Sequence, residues 1–126
     1  MLHQVWVYGS LRRGELNHHY LEDAKYLGTY STPACYTLYD LGEYPALVPD
    51  GETSVIGEVY AVNEKTLGKL DELEEVPIEF RRETIETIYG KVWVYLYQQN
   101  QQSSQGKKDR LLREVSSGNW CCRKKR

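Results

Sequence analysis

The chain has 126 residues, 40% of them hydrophobic and 27% charged, a length and balance that predict one globular domain with a core of its own. Its 16 basic and 18 acidic residues nearly cancel, but unevenly: Met1 to Gly106 holds 8 basic and 16 acidic residues, and Lys107 to Arg126 holds 8 basic and 2 acidic. No apolar run approaches the ~20 residues of a membrane span, the opening residues lack the basic and apolar regions of a secretory signal, and Cys35, Cys121 and Cys122 form neither a disulfide framework nor a zinc-ligand spacing, so a cytoplasmic protein without membrane or metal is expected.

In chain order, Val5-Trp6-Val7-Tyr8 reads as the first strand and ends in Gly9-Ser10. Leu16 to Ala24 reads as a short helix, with Leu16, Tyr20 and Ala24 at i, i+4 and i+8. Leu27 to Tyr30 and Ala34 to Tyr39 are shorter strand candidates. Val55 to Val62 is a stronger one, in which Gly57 marks either a bulge or a close backbone approach. Asn63 to Glu75 reads as a helix: Asn63 suits the N-cap, Glu64 favours the first turn, and Pro77 sets the stop. Arg82 to Ile88 alternates polar and apolar residues, Tyr89-Gly90 turns, and Lys91 to Gln98 completes a hairpin. In that last strand Val92, Val94 and Leu96 share one face and Trp93, Tyr95 and Tyr97 the other, so both faces should be covered.

Gln98 to Gly106 is a polar low-complexity loop. Beyond it, Leu111, Leu112 and Val115 suggest a further turn or two of helix, Ser116 to Asn119 a turn, Trp120 an anchor, and Arg123 to Arg126 a solvated basic end. Strands outnumber helices. With 11 Tyr and 3 Trp against a single Phe, the expected class is α+β with a curved, partly wet β interior. The domain should span residues 1–98, with 99–126 a polar loop and basic tail partly packed on it.

One residue of the predicted helix carries chemical interest. With Leu67 at zero and about 100° per residue, Leu70 falls near about −60°, Leu73 near about −120°, and Glu74 near about −20°, inside the arc of buried leucines. Asp71 borders the arc, and Glu72 and Glu75 face solvent. An enclosed carboxylate needs a partner or takes a raised pKa, which suits general acid–base work. Two other readings stand beside this one: the helix ends by Leu73 and Glu74 turns to solvent, or Glu74 pairs with Arg81 or Arg82. A second feature is Tyr8-Gly9-Ser10-Leu11, a strand end whose backbone amides could form a nest for a carboxylate or phosphate, or be only a turn. His18 and His19 do not converge on one ion, and one packed and one exposed ring are expected. No Gly-x-Ser-x-Gly elbow is present. The basic tail reads as a solvated end rather than a nucleic-acid site.

Five blocks then line up in order: Val7-Tyr8-Gly9-Ser10-Leu11-Arg12-Arg13-Gly14-Glu15-Leu16-Asn17-His18, Leu41-Gly42-Glu43-Tyr44-Pro45-Ala46-Leu47-Val48, Val55-Ile56-Gly57-Glu58-Val59-Tyr60, Leu70-Asp71-Glu72-Leu73-Glu74 and Phe80-Arg81-Arg82. Together they resemble the gamma-glutamylcyclotransferase-like proteins over roughly Met1 to Gln98, and Ser117-Gly118-Asn119-Trp120 resembles the end of the small bacterial members. The resemblance implies a small mixed β-barrel flanked by short helices, with a pocket at its mouth. It implies that the Tyr8–Leu11 loop holds the α-carboxylate of a gamma-glutamyl group and that Glu74 is the catalytic acid–base. It further implies release of 5-oxoproline and a free amine from a small gamma-glutamyl substrate, with no metal, nucleotide or covalent enzyme intermediate. Tyr44 and Arg82 are expected near the substrate. Glu75 departs from the glycine that many relatives carry after the catalytic Glu. A non-catalytic pocket for small carboxylates on the same fold is the alternative function, and an interaction protein acting through its basic tail a third. A monomer or weak homodimer is expected.

Overall fold

Val5 and Val7 project from one side of the first strand, β1 (Leu2–Val7), and Trp6 from the other, and all three are buried. A sheet covered on both faces follows from that pattern. The computed structural model describes residues 2–98 and 113–122.

β1 pairs antiparallel with β5 (Ile56–Asn63) in unbroken register, from Leu2↔Asn63 to Val7↔Glu58. Gly57 permits this closeness: a Cβ there would lie 2.4 Å from the Val7 carbonyl and 2.6 Å from the Trp6 ring. Of the two roles its sequence allowed, it serves the close approach. β2 (Lys25–Ser31) adds to the outer side of β5, with a register shift between Tyr26 and Gly28. On the other side of β1 lies β7 (Gly90–Tyr97), parallel to it at Val5↔Trp93. β7 carries β6 (Phe80–Thr87) in the expected hairpin, turned at Ile88-Tyr89 so that Thr87 pairs with Gly90. The strand order is therefore β2-β5-β1-β7-β6. One apolar layer lies on each face. Val5, Val7, Tyr60, Tyr95 and Phe80 join one. Trp6, Val59, Val92, Val94 and Leu96 join the other.

A second sheet has the order β4-β3-β8, from β3 (Tyr36–Asp40), β4 (Pro45–Thr53) and β8 (Arg113–Glu114). Among the described residues the ladders of the two sheets do not join into a closed barrel; the α+β class holds, and the strands divide between two sheets. β4 was not expected as a strand. Its apolar run is only Ala46-Leu47-Val48, and Pro49-Asp50-Gly51-Glu52 has the composition of a turn. Those residues instead form a wide irregularity between Thr37↔Val48 and Tyr36↔Thr53, held by the Thr37 hydroxyl donating to the Asp50 carbonyl at 2.6 Å.

Two helical expectations are corrected. Over 16–24 only His18–Leu21 is helical, as a 3-10 turn. The amides of Glu15, His18, Tyr20 and Glu22 each bond three residues back; Tyr20 and Ala24 pack against the first apolar layer, but Leu16 is 72% exposed, so the apolar period does not continue to the start of the segment. Val115 follows a strand rather than lying in a helix, and its N–H donates to the Leu38 carbonyl at 2.7 Å. Leu111, Leu112, the polar loop from residue 99 and the basic end from Arg123 lie outside the described residues. Trp120 is fully buried against the second apolar layer.

The helix α1 (Glu64–Leu73) follows β5 directly. The Asn63 side chain accepts the Thr66 amide at 2.8 Å, the capping bond its sequence called for. Leu67 and Leu70 are buried in the first layer. No helix among the described residues is long and apolar enough to cross a membrane.

Candidate active site

α1 ends at Leu73, earlier than its sequence pattern predicted, and the way it ends aims Glu74. Glu74 is the C-cap, with φ −85° and ψ 0°, and its N–H still bonds the Leu70 carbonyl at 2.9 Å. Near-helical backbone keeps its side chain at the azimuth between Leu67 and Leu70. Glu75 then takes φ 54°. Its N–H bonds the Glu72 carbonyl at 3.1 Å, and the Val76 N–H bonds the Asp71 carbonyl at 3.0 Å. These two bonds define the Schellman termination, in which the left-handed position normally belongs to glycine. Val76 packs into the core and closes the turn. Both halves of the alternative therefore met: the helix does stop at Leu73, and Glu74 nevertheless turns inward.

Glu74 lines a small cavity, partly open to solvent, together with Tyr44, Pro45 and Tyr95 and the strand end Trp6 to Leu11. As a residue Glu74 is half-buried, yet its carboxyl is enclosed. Burial, and after it the negative charge of Glu79, raises its pKa from 4.5 to about 7. Neither arginine pairs with it among the described residues: Arg81 bonds Glu83, and Arg82 pairs with Asp71 at 3.1 Å.

The loop 8–11 comes off β1 against β4. Gly9 fits because Pro45 fills the space beside it: a Cβ would lie 2.4 Å from Pro45 Cγ. The Gly9 carbonyl accepts from the Arg12 N–H at 3.0 Å and the Ser10 carbonyl from the Asn17 N–H at 2.8 Å. The Leu11 carbonyl meets His18 Nδ1 at 2.9 Å, and Asn17 Nδ2 donates to Ser10 Oγ at 3.0 Å. Every carbonyl of residues 9–11 is engaged, while among the described residues none of their three N–H groups has a partner. A strand-end loop with its acceptors satisfied and its donors unspent has the hydrogen-bonding character of an anion nest.

The phenols around Glu74 are polarised in the opposite sense. The Tyr8 hydroxyl donates to the Tyr95 carbonyl at 2.6 Å, the Tyr95 hydroxyl to Asp71 Oδ1 at 2.8 Å, and the Tyr44 hydroxyl to Glu79 Oε2 at 2.6 Å. Burial raises the pKa of all three and keeps them protonated. For Tyr8 the next cause is the charge of Glu74; for Tyr95 and Tyr44 it is the hydrogen bond to a carboxylate. With each proton committed elsewhere, these oxygens remain available only as acceptors.

Of the residues marked in the sequence, Glu74, Tyr8, Gly9, Ser10, Leu11 and Tyr44 share this one cavity, and Arg82 does not line it. Arg82 stacks 4.3 Å over the Trp93 ring and reaches the site only through Asp71 and Tyr95. Sequence reasoning missed Tyr95, Pro45 and Glu79 as site residues. Tyr95 lay on a recognised strand face, but its approach to Tyr8 depends on the parallel pairing of β1 with β7. As expected, His18 is half-buried, 5.8 Å from the Tyr60 ring, and His19 is exposed. Among the described residues no three His, Cys, Asp or Glu side chains are grouped to hold a metal, and Cys35 and Cys121 are free and exposed.

Fold and site together define a class: a small α+β protein in which a loop of free amides shares a cavity with an enclosed acid at a helix C-terminus. The chain belongs to the family described as "Gamma-glutamyl cyclotransferase, AIG2-like", whose model matches residues 5–122. It is 51% identical over 123 residues, 98% of this chain and 99% of the relative, to a Vibrio cholerae serotype O1 protein named "Putative gamma-glutamylcyclotransferase". The solution structure of protein ytfP from Escherichia coli is similar at TM-score 0.71 and 40% identity, covering 97% of this chain and 99% of that one. The crystal structure of protein PH0828 from Pyrococcus horikoshii is similar at TM-score 0.75 and 28% identity, covering 94% and 89%.

Proposed function

We propose that this chain is a gamma-glutamyl cyclotransferase that releases 5-oxoproline and a free amine or amino acid from a small gamma-glutamyl compound. The observation that supports this most is the pairing, in one cavity, of a carboxyl with pKa about 7 and three backbone amides that have no partner among the described residues. In this reading the N–H groups of Gly9, Ser10 and Leu11 bind the substrate's α-carboxylate. The acceptor oxygens of Tyr8, Tyr44 and Tyr95 suit the adjacent α-ammonium.

Ionised Glu74 takes a proton from that ammonium. The freed amine attacks the γ-carbonyl carbon of the same molecule, so proximity supplies much of the acceleration. A ring C–N bond forms and the original amide C–N bond breaks. The attacking nitrogen gives up two protons in all and the leaving nitrogen takes up both, carried one at a time by Glu74, which ends ionised as it began. Arg82 contributes through Asp71 and Tyr95, as a positioning group. Strands of both sheets contribute to the cavity, where the family resemblance implies the mouth of a small mixed β-barrel. The enzyme would work in the cytoplasm on a small molecule, as a monomer or weak homodimer, without nucleic acid, membrane or cofactor.

A screen of gamma-glutamyl amines and peptides for 5-oxoproline release tests the reading. Release that disappears in Glu74→Gln supports it. Release that persists in that variant removes Glu74 from the chemistry. Binding of glutamyl compounds by the unmodified protein without any turnover points instead to a non-catalytic receptor for small carboxylates.

A further inference from the structure

The anion receptor at residues 9–11 is useful only if its amides keep one orientation, since a loose nest loses affinity to disorder. Its carbonyl side is tied down by the Arg12 amide, Asn17 and His18. What holds Arg12 itself lies in other parts of the chain. Its side chain is buried, and Nε donates to Glu58 Oε2 at 3.2 Å. Glu58 is also committed to the Arg13 N–H at 3.0 Å and the Tyr60 hydroxyl at 2.9 Å. A buried guanidinium requires acceptors for its remaining donors. Nη1 finds one at Asn119 Oδ1, 2.7 Å away, across 107 residues of sequence.

Asn119 is itself well held. The Cys121 N–H donates to the same Oδ1 at 3.1 Å, so both neighbours of that atom are donors and its amide orientation is determined. The Asn119 N–H bonds Ser117 Oγ at 3.2 Å. On one side, the Gly118 carbonyl accepts the Ile56 N–H at 2.9 Å, and Gly118 has φ 72° where a Cβ would collide with the Ser54 carbonyl. On the other, Trp120 is fully buried. The C-terminal turn is thus seated in the core from both sides of Asn119.

We infer that Asn119 is a positioning residue for the proposed anion receptor: through Arg12, the C-terminal turn fixes the cavity-lining loop of residues 9–11, whose amides have no partner among the described residues. The inference rests on the proposed function for its kinetic test but not for its structural one. Asn119→Ala removes the acceptor and leaves Gly118 and Trp120 seated. Asn119→Asp keeps an acceptor in reach of Arg12. With a turned-over gamma-glutamyl substrate, Asn119→Ala should raise KM about tenfold through the loosened loop, with kcat within about twofold; the buried Arg12 donor left without its acceptor also lowers the unfolding midpoint, so both variants are assayed well below that midpoint, where they are fully folded. Asn119→Asp should restore KM. A KM in Asn119→Ala equal to the parent's, or an equal rise in both variants, overturns the inference. If no gamma-glutamyl compound is turned over, the proposed function falls, and the loop is read directly by 15N NMR. Displaced or broadened Gly9, Ser10 and Leu11 amide signals in Asn119→Ala, recovered in Asn119→Asp, support the inference; unchanged signals in Asn119→Ala overturn it.

Discussion

Glu74→Gln should make the protein more stable at mildly alkaline pH, although it removes the group on which the proposed chemistry depends. The Glu74 carboxyl has a pKa of about 7 in the folded chain, against an ordinary value of 4.5, chiefly because burial disfavours its charge. Folded protein therefore keeps a proton that unfolded protein has released, so stability falls as pH rises from about 4.5 to about 7. At about 1.4 kcal/mol per tenfold change in acidity, with a discount for the half-buried position, the ionised carboxylate costs about 2 to 3 kcal/mol above that window. Glutamine fills nearly the same shape and carries no charge. Urea unfolding at about pH 5 and about pH 8 isolates this effect, because every other titrating group is shared by the two proteins. The two should differ little at the lower pH, and the variant should be more stable by about 2 to 3 kcal/mol at the higher. Stabilities that run parallel across the window, to within about 0.5 kcal/mol, would refute the raised pKa, since a group yields no difference when its pKa is the same folded and unfolded.

Glu79→Gln removes the second cause of the Glu74 shift. Loss of that negative charge lowers the pKa of Glu74, so the acid limb of the pH–rate profile for 5-oxoproline release should move to lower pH, by roughly half a unit or less; a limb that stays or rises contradicts it. Glu75→Gly relieves an L-residue held at φ 54°, a gain of about 1 to 2 kcal/mol reduced by the greater freedom of an unfolded glycine, so urea unfolding should show a net stabilisation of about 0.5 to 1 kcal/mol. Gly9→Ala drives a methyl to within 2.4 Å of Pro45 Cγ; displacement of the loop or of Pro45 should cost about 1 to 3 kcal/mol of stability and abolish measurable product release.

Local pattern carried most of the central elements. The strand 91–98 and its hairpin partner were legible because alternation and turn composition sit within the segments themselves, and the start of α1 was legible because Asn63 caps it through its own side chain. Non-local pairing was not. Nothing in Val5-Trp6-Val7 specifies a parallel neighbour, yet the Val5↔Trp93 pairing brings Tyr95 beside Tyr8. Likewise Tyr44 and Glu79, 35 residues apart, meet at 2.6 Å where the chain enters β4 and β6, an encounter that no local pattern announces. The segment 16–24 failed for the converse reason: its apolar period was present, but no apolar surface faces Leu16.

Glu74 joins these two cases. The helical wheel found its direction while overestimating the helix, and the error was harmless because a C-cap at φ −85° and ψ 0° is still close to helical geometry. One residue later the same extrapolation breaks down, because Glu75 has crossed to φ 54°. The family resemblance puts glycine at that position, and the Schellman bonds supply a physical reason: the chain must take a left-handed step directly after the acid if the acid is to stay over the cavity while Val76 returns to the core. Glycine there is a backbone requirement rather than a clearance for substrate. Glu75 meets the same requirement at a cost in strain, with its side chain exposed to solvent, and so leaves the Glu74 carboxyl and the cavity geometry in place.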